Sequence, residues 1–293
     1  MRVRRSTILV PGNVDRMIAK ARDFAADVVL LDLEDAVPAT DADKAQARRL
    51  VVAALKNGAF RAREVAVRVN GPRTRWFEAD VATLAAVGAS SLVLPHTYGA
   101  EDVARAEAAI ARANVTPPEI TLAVETPATL LALEEIARHT KLVTALAVAP
   151  VDFTLALRST ALLGGAGGVA SGEQLQWLRH KLLIVARAQG WNAIDAPIVP
   201  DPRDAEAVRH AMEASRALGF DGTGVLYPDH IAIANAAYAP SAAELAWADG
   251  VIARFETLRD GRAADTSGGK LVMTQHYEFA KSLRALAARI GDS

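Results

Sequence analysis

TLAVETPA (121–128) and ALAVAPVDF (145–153), with PATLLALEEIARH (127–139) between them, decide the fold. Each apolar run reads as a buried strand, and each ends on an acid, Glu125 or Asp152. Thr126 is a good N-cap and Pro127 suits a first helical turn, so the strand ending at Val124 passes directly into a helix. A carboxylate is costly to bury without compensation. Two acids, each at the end of a predicted strand, suggest a divalent cation between them. Hard cations such as Mg²⁺ take oxygen ligands, often one or two carboxylates completed by substrate and water. The structural alternatives are a helix-start carboxylate for Glu125, favoured by the helix dipole, and a cap for Asp152.

Working outward, the same unit recurs. Short, mostly non-alternating apolar runs fall at 7–10, 28–33, 65–69, 91–94, 120–124, 145–148, 193–194 and 224–226. Such runs fit parallel strands covered on both faces. Between them lie Ala-rich amphipathic segments, including 43–58 and 101–114. Alternation of this kind eight times over predicts an α/β fold of the (β/α)₈ barrel type, with a doubly wound sheet as the rival. Residues 1–258 are read as the barrel. RDGRAADTSGGK (259–270) is read as a flexible connector, and the remainder to 293 as a C-terminal helical extension that forms a lid, packs on a neighbouring subunit or caps its own barrel.

Composition bounds the function. The 293 residues are 51% hydrophobic and 23% charged, with a net charge of −1, so a polyanionic partner such as nucleic acid is not expected. There is no cysteine, which removes disulfides, thiolate metal sites and a cysteine nucleophile. No apolar stretch approaches the ~18 residues of a membrane span, and the basic N-terminus lacks a signal-like apolar run; the expected location is the cytoplasm.

In a barrel of this kind chemistry sits at the C-terminal strand ends. Those ends supply Asp32, Glu34 and Asp35, then Arg68 and Asn70, His96, Glu125, Asp152, Asp195 and Tyr227. Arg68, inside VAVRVNG, needs a partner; its fork suits a carboxylate or a developing oxyanion, and a structural ion pair to Glu34 or Asp35 is the alternative. The acids of LLDLEDAV either orient water at a metal or hold Arg68. His96 is a base, a ligand or a polar strand-end residue. GGAGG (164–168) lacks the Lys-Ser/Thr of a phosphate loop and reads as a mobile loop.

RRSTILVPGN, DVVLLDLEDAV followed by Lys44 and Ala47-Arg48, VRVN, LVLP, VET and VDF, in this order and spacing, resemble the HpcH/HpaI aldolase and citrate lyase beta-subunit family from about Arg4 to Ala248. The resemblance implies a (β/α)₈ barrel, usually a homotrimer, with Mg²⁺ (or Mn²⁺) on Glu125 and Asp152. It implies that Arg68 contacts a keto-acid or thioester carbonyl, with Glu34, Asp35 and His96 around the substrate. The implied activity is a metal-dependent carbon–carbon lyase acting on a β-hydroxyacyl-CoA thioester with a 2-oxo acid product. Aldol chemistry on a free 4-hydroxy-2-oxo acid, or a non-catalytic homologue that binds a small acid, are the alternatives. The chain departs from the family pattern at His96 (usually Lys), at Thr223, Tyr227 and His230 in the late motif, and in AVAPVDF. Met273 stands where related members donate an aspartate from a terminal motif, so the lid is expected to shape the pocket rather than transfer protons.

Overall fold

The computed structural model describes residues 2–113, 116–161, 172–256, 264–265 and 272–291. The chain forms two compact units, Met1–Ala237 and Tyr238–Ser293.

The first unit is a closed barrel of eight parallel strands in sequential order. The strands are β1 (Ser6–Pro11), β2 (Val28–Asp32), β3 (Glu64–Arg68), β4 (Ser91–Leu94), β5 (Glu119–Val124), β6 (Val143–Val148), β7 (Asn192–Asp195) and β8 (Gly222–Val225). Closure is made by β1 pairing with both β2 and β8. All eight predicted strands are present, displaced by at most two or three residues at their ends. β8 begins earlier than expected and leaves Leu226 outside, exposed.

Helices α1 (Asp15–Ala21), α2 (Asp41–Asn57), α3 (Phe77–Ala86), α4 (Ala100–Arg112), α5 (Pro127–His139), α6 (Pro150–Ala156), α7 (Gln176–Gln189), α8 (Ala205–Leu218) and α9 (His230–Ala237) belong to this unit. Their boundaries follow local chemistry. Thr40 caps α2 by accepting from Asp43 N–H, Thr126 caps α5 by accepting from Thr129 N–H, and Asp204 caps α8. α7 and α8 end on Gly190 and Gly219 in the left-handed conformation that glycine adopts freely. No helix among the described residues is long and apolar enough to cross a membrane.

Side chains alternate along a strand, and this alternation organises the interior. Val28, Leu30, Ala66, Val93 and Ala123 pack together with Leu9. That cluster fixes the inward parity. On β2 the same face carries Val28, Leu30 and Asp32; on β3 it carries Glu64, Ala66 and Arg68. On β5 it carries Glu119, Thr121 and Ala123, and the alternation continues to Glu125 beyond the strand. The lumen is thus apolar in the middle and ionic at both ends.

The second unit contains α10 (Ala242–Glu256), the antiparallel pair β9 (Ala264–Asp265) and β10 (Val272–Met273), and α11 (Thr274–Gly291). Ala248, Val251, Val272, Ala280 and Leu283 form its core, and Phe255 stacks on Tyr277 with centroids 5.3 Å apart. Here the structure differs from expectation. The compact unit begins at Tyr238, not after 258, because α10 packs with α11. Met273 lies in a strand, opposite Ala264, and the helix begins one residue later. Apart from Ala264–Asp265, the expected connector 259–270 lies outside the described residues, as does the GGAGG loop.

Candidate metal and acid-binding site

The upper ends of β2 to β6 bring most of the predicted residues together. Asp32, the last residue of β2, is completely buried. Its carboxylate accepts Glu34 N–H at 3.0 Å and Ala36 N–H at 2.8 Å, which folds the LEDA turn back over the strand end. It also takes Arg68 in a bidentate fork, Nε to Oδ1 at 2.7 Å and Nη2 to Oδ2 at 2.8 Å. Arg68 Nη1 lies 3.0 Å from Glu34 Oε2 and 3.4 Å from Asp35 Oδ2. The structural alternative for Arg68 is therefore realised, with Asp32 as chief partner. Burial works against the guanidinium charge, but the hydrogen bonds and charge of Asp32 outweigh it and raise Arg68 above its ordinary range. A guanidinium has five N–H donors, so this clamp fixes its plane while leaving donors for a ligand.

Lys44 supports the same turn. It interrupts the buried stripe of α2 that includes Ala47, Val51 and Ala54. Its ammonium donates to Leu33 O and Glu34 O, each at 2.8 Å, and lies over the Trp76 ring. Just beyond Arg68, Asn70 is anchored by buried Asp80, which also pairs with Arg48.

His96 adopts a left-handed backbone, φ 47°, uncommon for a side chain of this size. That conformation lets one residue grip one oxygen twice: Glu125 Oε2 accepts His96 N–H at 2.7 Å and faces Nδ1 at 3.1 Å. The other ring nitrogen, Nε2, is 2.8 Å from Glu34 Oε1. His96 thus bridges two carboxylates. Its hydrogen bond to Glu34 is the main cause of a pKa raised to about 9, with the Glu125 charge adding to it. Glu34 responds in the opposite sense. Burial pushes its carboxyl up, while the His96 hydrogen bond and the Arg68 charge more than offset this and hold it at about 2.

Glu125 is 1% exposed. Burial dominates its titration and pushes it up to about 7; the His96 charge and main-chain hydrogen bond only partly offset this, and the charges of Glu34 and Asp152 add to the rise. Thr126 and Thr129 both donate to Thr97 O, stitching the start of α5 to the loop that carries His96. Glu125 Oε1 makes no hydrogen bond among the described residues. Asp152 makes neither a hydrogen bond nor an ion pair among them. The cap that was the structural alternative for Asp152 is not formed: α6 already starts at Pro150, which places Asp152 in the first turn with its carboxylate uncommitted.

The free oxygen of Glu125 and the uncommitted carboxylate of Asp152, whose charge adds to the rise at Glu125, fit a divalent cation with oxygen ligands. Glu34, Asp35 and His96 also bring one possible ligand atom each within 4.8 Å of one another. That trio suits a metal less well. As an imidazolium held between two carboxylates, His96 has no lone pair to offer.

Other strand-end candidates are elsewhere engaged. Asp195 is buried, paired with Arg179 and accepting from Ser215. Tyr227 is exposed and packs at a tilt on His230, whose Nε2 is 2.8 Å from Pro202 O. Asp32 and Lys44 carry more of the site than the sequence reading assigned to them. The signals were a strand of inward parity ending in Asp and a lone lysine within an apolar helical stripe.

The profile of the HpcH/HpaI aldolase/citrate lyase family matches residues 5–228. A (3S)-malyl-CoA thioesterase of Cereibacter sphaeroides is 33% identical over 98% of this chain and 95% of its own length. The citrate lyase subunit beta of Leuconostoc mesenteroides is 29% identical over 92% of this chain and 89% of its own. Among solved structures, CitE from Mycobacterium tuberculosis in complex with magnesium, acetoacetate and coenzyme A is 26% identical, with a TM-score of 0.76 over 97% of both chains. The chain belongs to the HpcH/HpaI aldolase/citrate lyase family.

Proposed function

We propose that this protein is a divalent-metal-dependent enzyme that cleaves or forms the carbon–carbon bond of a β-hydroxyacyl-CoA thioester of the malyl or citryl type, with a 2-oxo acid as the second product. The observation that supports the reading is buried Glu125, with one oxygen uncommitted and its titration raised by the charge of Asp152, in the same site as a guanidinium locked in place. Glu125 and Asp152 are the residues that would hold Mg²⁺; the same oxygen donors suit Mn²⁺. When bound, such a cation supplies Lewis-acid polarisation of a 2-oxo acid.

The chain's own groups do the rest. Arg68, its plane set by Asp32, offers its remaining N–H donors to the acid's carboxylate or to the oxygen that gains charge. Burial of Glu125 keeps bulk water from its carboxylate. Asp32 and Lys44 hold the turn carrying Glu34 and Asp35, so that the charges at the mouth are fixed before ligand arrives. Such fixed charges cost no reorganisation at the moment of reaction. Support comes from relatives: M. tuberculosis CitE has been seen with magnesium, acetoacetate and coenzyme A, and a citrate lyase beta subunit from the same organism, 27% identical with a TM-score of 0.66, with oxaloacetate and magnesium. A homotrimer in the cytoplasm is part of this reading, and sedimentation analysis measures the assembly.

A second reading, hydrolysis of the thioester, is favoured by the 33% identity to a malyl-CoA thioesterase. One experiment separates the two. With malyl-CoA and Mg²⁺, a lyase gives glyoxylate and acetyl-CoA, whereas a thioesterase gives malate and free CoA. Neither pair forming, with citryl- and citramalyl-CoA equally inert, would overturn both. The metal assignment is tested by Glu125→Gln combined with Asp152→Asn, which should abolish Mg²⁺ binding in calorimetry; unchanged binding would place the metal elsewhere.

A further inference from the structure

We propose that His96 is a positioning residue that restricts Glu125 to one-oxygen ligation and thereby makes the site select a small octahedral cation over Ca²⁺. The inference rests on the assignment of Glu125 as a metal ligand.

Its basis is the unequal treatment of the two Glu125 oxygens. At Oε2 one residue approaches twice: the His96 main-chain N–H donates at 2.7 Å, and ring Nδ1 forms an ion pair at 3.1 Å. Oε1 makes no hydrogen bond among the described residues. The ring cannot turn away freely, because Nε2 is tied to Glu34 Oε1 at 2.8 Å and Glu34 is in turn tied to Arg68. The backbone is committed as well. His96 occupies the left-handed region at φ 47°, and it passes so close to Gly71 that a Cβ added there would lie 3.0 Å from the His96 Cβ. Left-handed backbone at a bulky residue persists where its surroundings over-determine it.

The consequence follows from ion size. Mg²⁺ demands near-octahedral geometry with one oxygen from each carboxylate, whereas Ca²⁺ accepts six to eight oxygens and commonly takes both oxygens of a carboxylate. A Glu125 whose Oε2 is occupied by the His96 main-chain donor and faced by the His96 ring serves the first and withholds a ligand from the second. Hydrogen-bond partners of ligating carboxylates typically change metal affinity ~10–100-fold when removed. A partner that blocks one oxygen changes affinity unequally for the two ions.

The test is calorimetric titration of the metal-free, full-length protein with MgCl₂ and with CaCl₂, for wild type, His96→Ala, His96→Asn and Glu125→Gln. Asparagine tolerates left-handed backbone better than most residues and keeps the main-chain donor, so His96→Asn carries the test if His96→Ala does not fold. Without the ring, Oε2 is open on that side, and the ratio of Ca²⁺ to Mg²⁺ affinity should rise about tenfold or more, chiefly through tighter Ca²⁺ binding. Equal weakening of both ions in the His96 variants would reduce the residue to a structural one and overturn the inference, as would an unchanged ratio. Both of those results leave the metal assignment standing provided Glu125→Gln abolishes Mg²⁺ binding. If Glu125→Gln binds Mg²⁺ like wild type, the assignment itself falls, and this inference with it.

Discussion

The two ends of the same strands use the same chemistry to opposite ends. On β3, Glu64 and Arg68 share one face; along β5, Glu119 and Glu125 do. At the N-terminal end, every oxygen of both acids is engaged. Arg4 donates to Glu64 Oε2 at 2.8 Å and to Oε1 at 3.0 Å, and also to Glu119 Oε2 at 3.0 Å. Arg2 reaches Glu119 Oε1 at 2.8 Å, and Thr144 adds a bond to Oε2. Asn192, on β7, exchanges hydrogen bonds with the Arg2 backbone. Only Arg4 Nη1 in this plug is buried without a hydrogen bond. At the C-terminal end, Glu125 Oε1 and Asp152 are left uncommitted among the described residues, and Glu125 is held near neutrality by burial. The difference teaches where to look for function in a barrel: not where every carboxylate oxygen is engaged, but where carboxylate oxygens are left open.

The comparison breaks most visibly at the closed end. Arg4→Ala leaves Glu64 buried without its fork. Removing one partner of a buried pair typically costs about 3–5 kcal/mol, and urea unfolding should show a loss of that size with Mg²⁺ affinity unchanged in the protein that remains folded. A loss under about 1 kcal/mol would mean that the plug is not a structural device.

Glu125→Gln should do the reverse. The folded-state pKa of Glu125, about 7, lies above its ordinary 4.5, so the ionised carboxylate destabilises the metal-free fold. The cost is absent below pH 4.5, grows between 4.5 and 7, and is complete above about 7. Without metal and above pH 7, Glu125→Gln should therefore be more stable than wild type, on the order of 2–3 kcal/mol, while metal binding is lost. A variant less stable than wild type across that window contradicts the unmatched-charge reading.

Arg68→Lys sharpens the comparison at the open end. Lysine cannot reproduce the fork on Asp32 and still present a fixed plane to a ligand. Oxaloacetate affinity measured with saturating Mg²⁺ should fall at least tenfold, about 1.4 kcal/mol, with metal affinity retained. Unchanged oxaloacetate binding would show that the clamp serves only stability.

The smallest effect concerns His96, whose folded pKa of about 9 lies above its ordinary 6.5. A raised pKa means that its bridge to Glu34 and Glu125 stabilises the metal-free fold fully below pH 6.5, and that this contribution is lost as pH rises through 9. The melting temperature of wild type should fall relative to that of His96→Asn between pH 6.5 and 9.5. Parallel curves would place the His96 charge outside the folded-state balance.

Much of this was legible in the sequence, because much of it is local. Apolar runs of strand length, the Thr126-Pro127 helix start and the LEDAV turn are short-range signals, and the strands and α5 fall where they predict. The ion-pair alternative for Arg68 was legible too, since a charge inside an apolar run must be met. The plug was not. Arg4 meets partners 60 and 115 residues away, and nothing in a basic N-terminus distinguishes a barrel plug from a solvated tail. The bridging role of His96 was hidden for another reason: it depends on a left-handed backbone that neither histidine nor its neighbours Pro95 and Thr97 demand. The β9–β10 pair involves two residues on each side, too few for alternation to register.

The plug has a consequence for traffic. With Arg4, Glu64 and Glu119 closing one end and Val28, Leu30, Ala66, Val93 and Ala123 filling the middle, the barrel axis is a blind alley. Whatever reaches Glu125 and Arg68 arrives and departs by one doorway. If the proposed cleavage takes place, its fragments must queue: the outer one leaves first, the one nearest the strand ends last. The last to leave should compete directly with incoming substrate, and a product-inhibition pattern that is purely competitive for one fragment would be the kinetic imprint of a sealed floor.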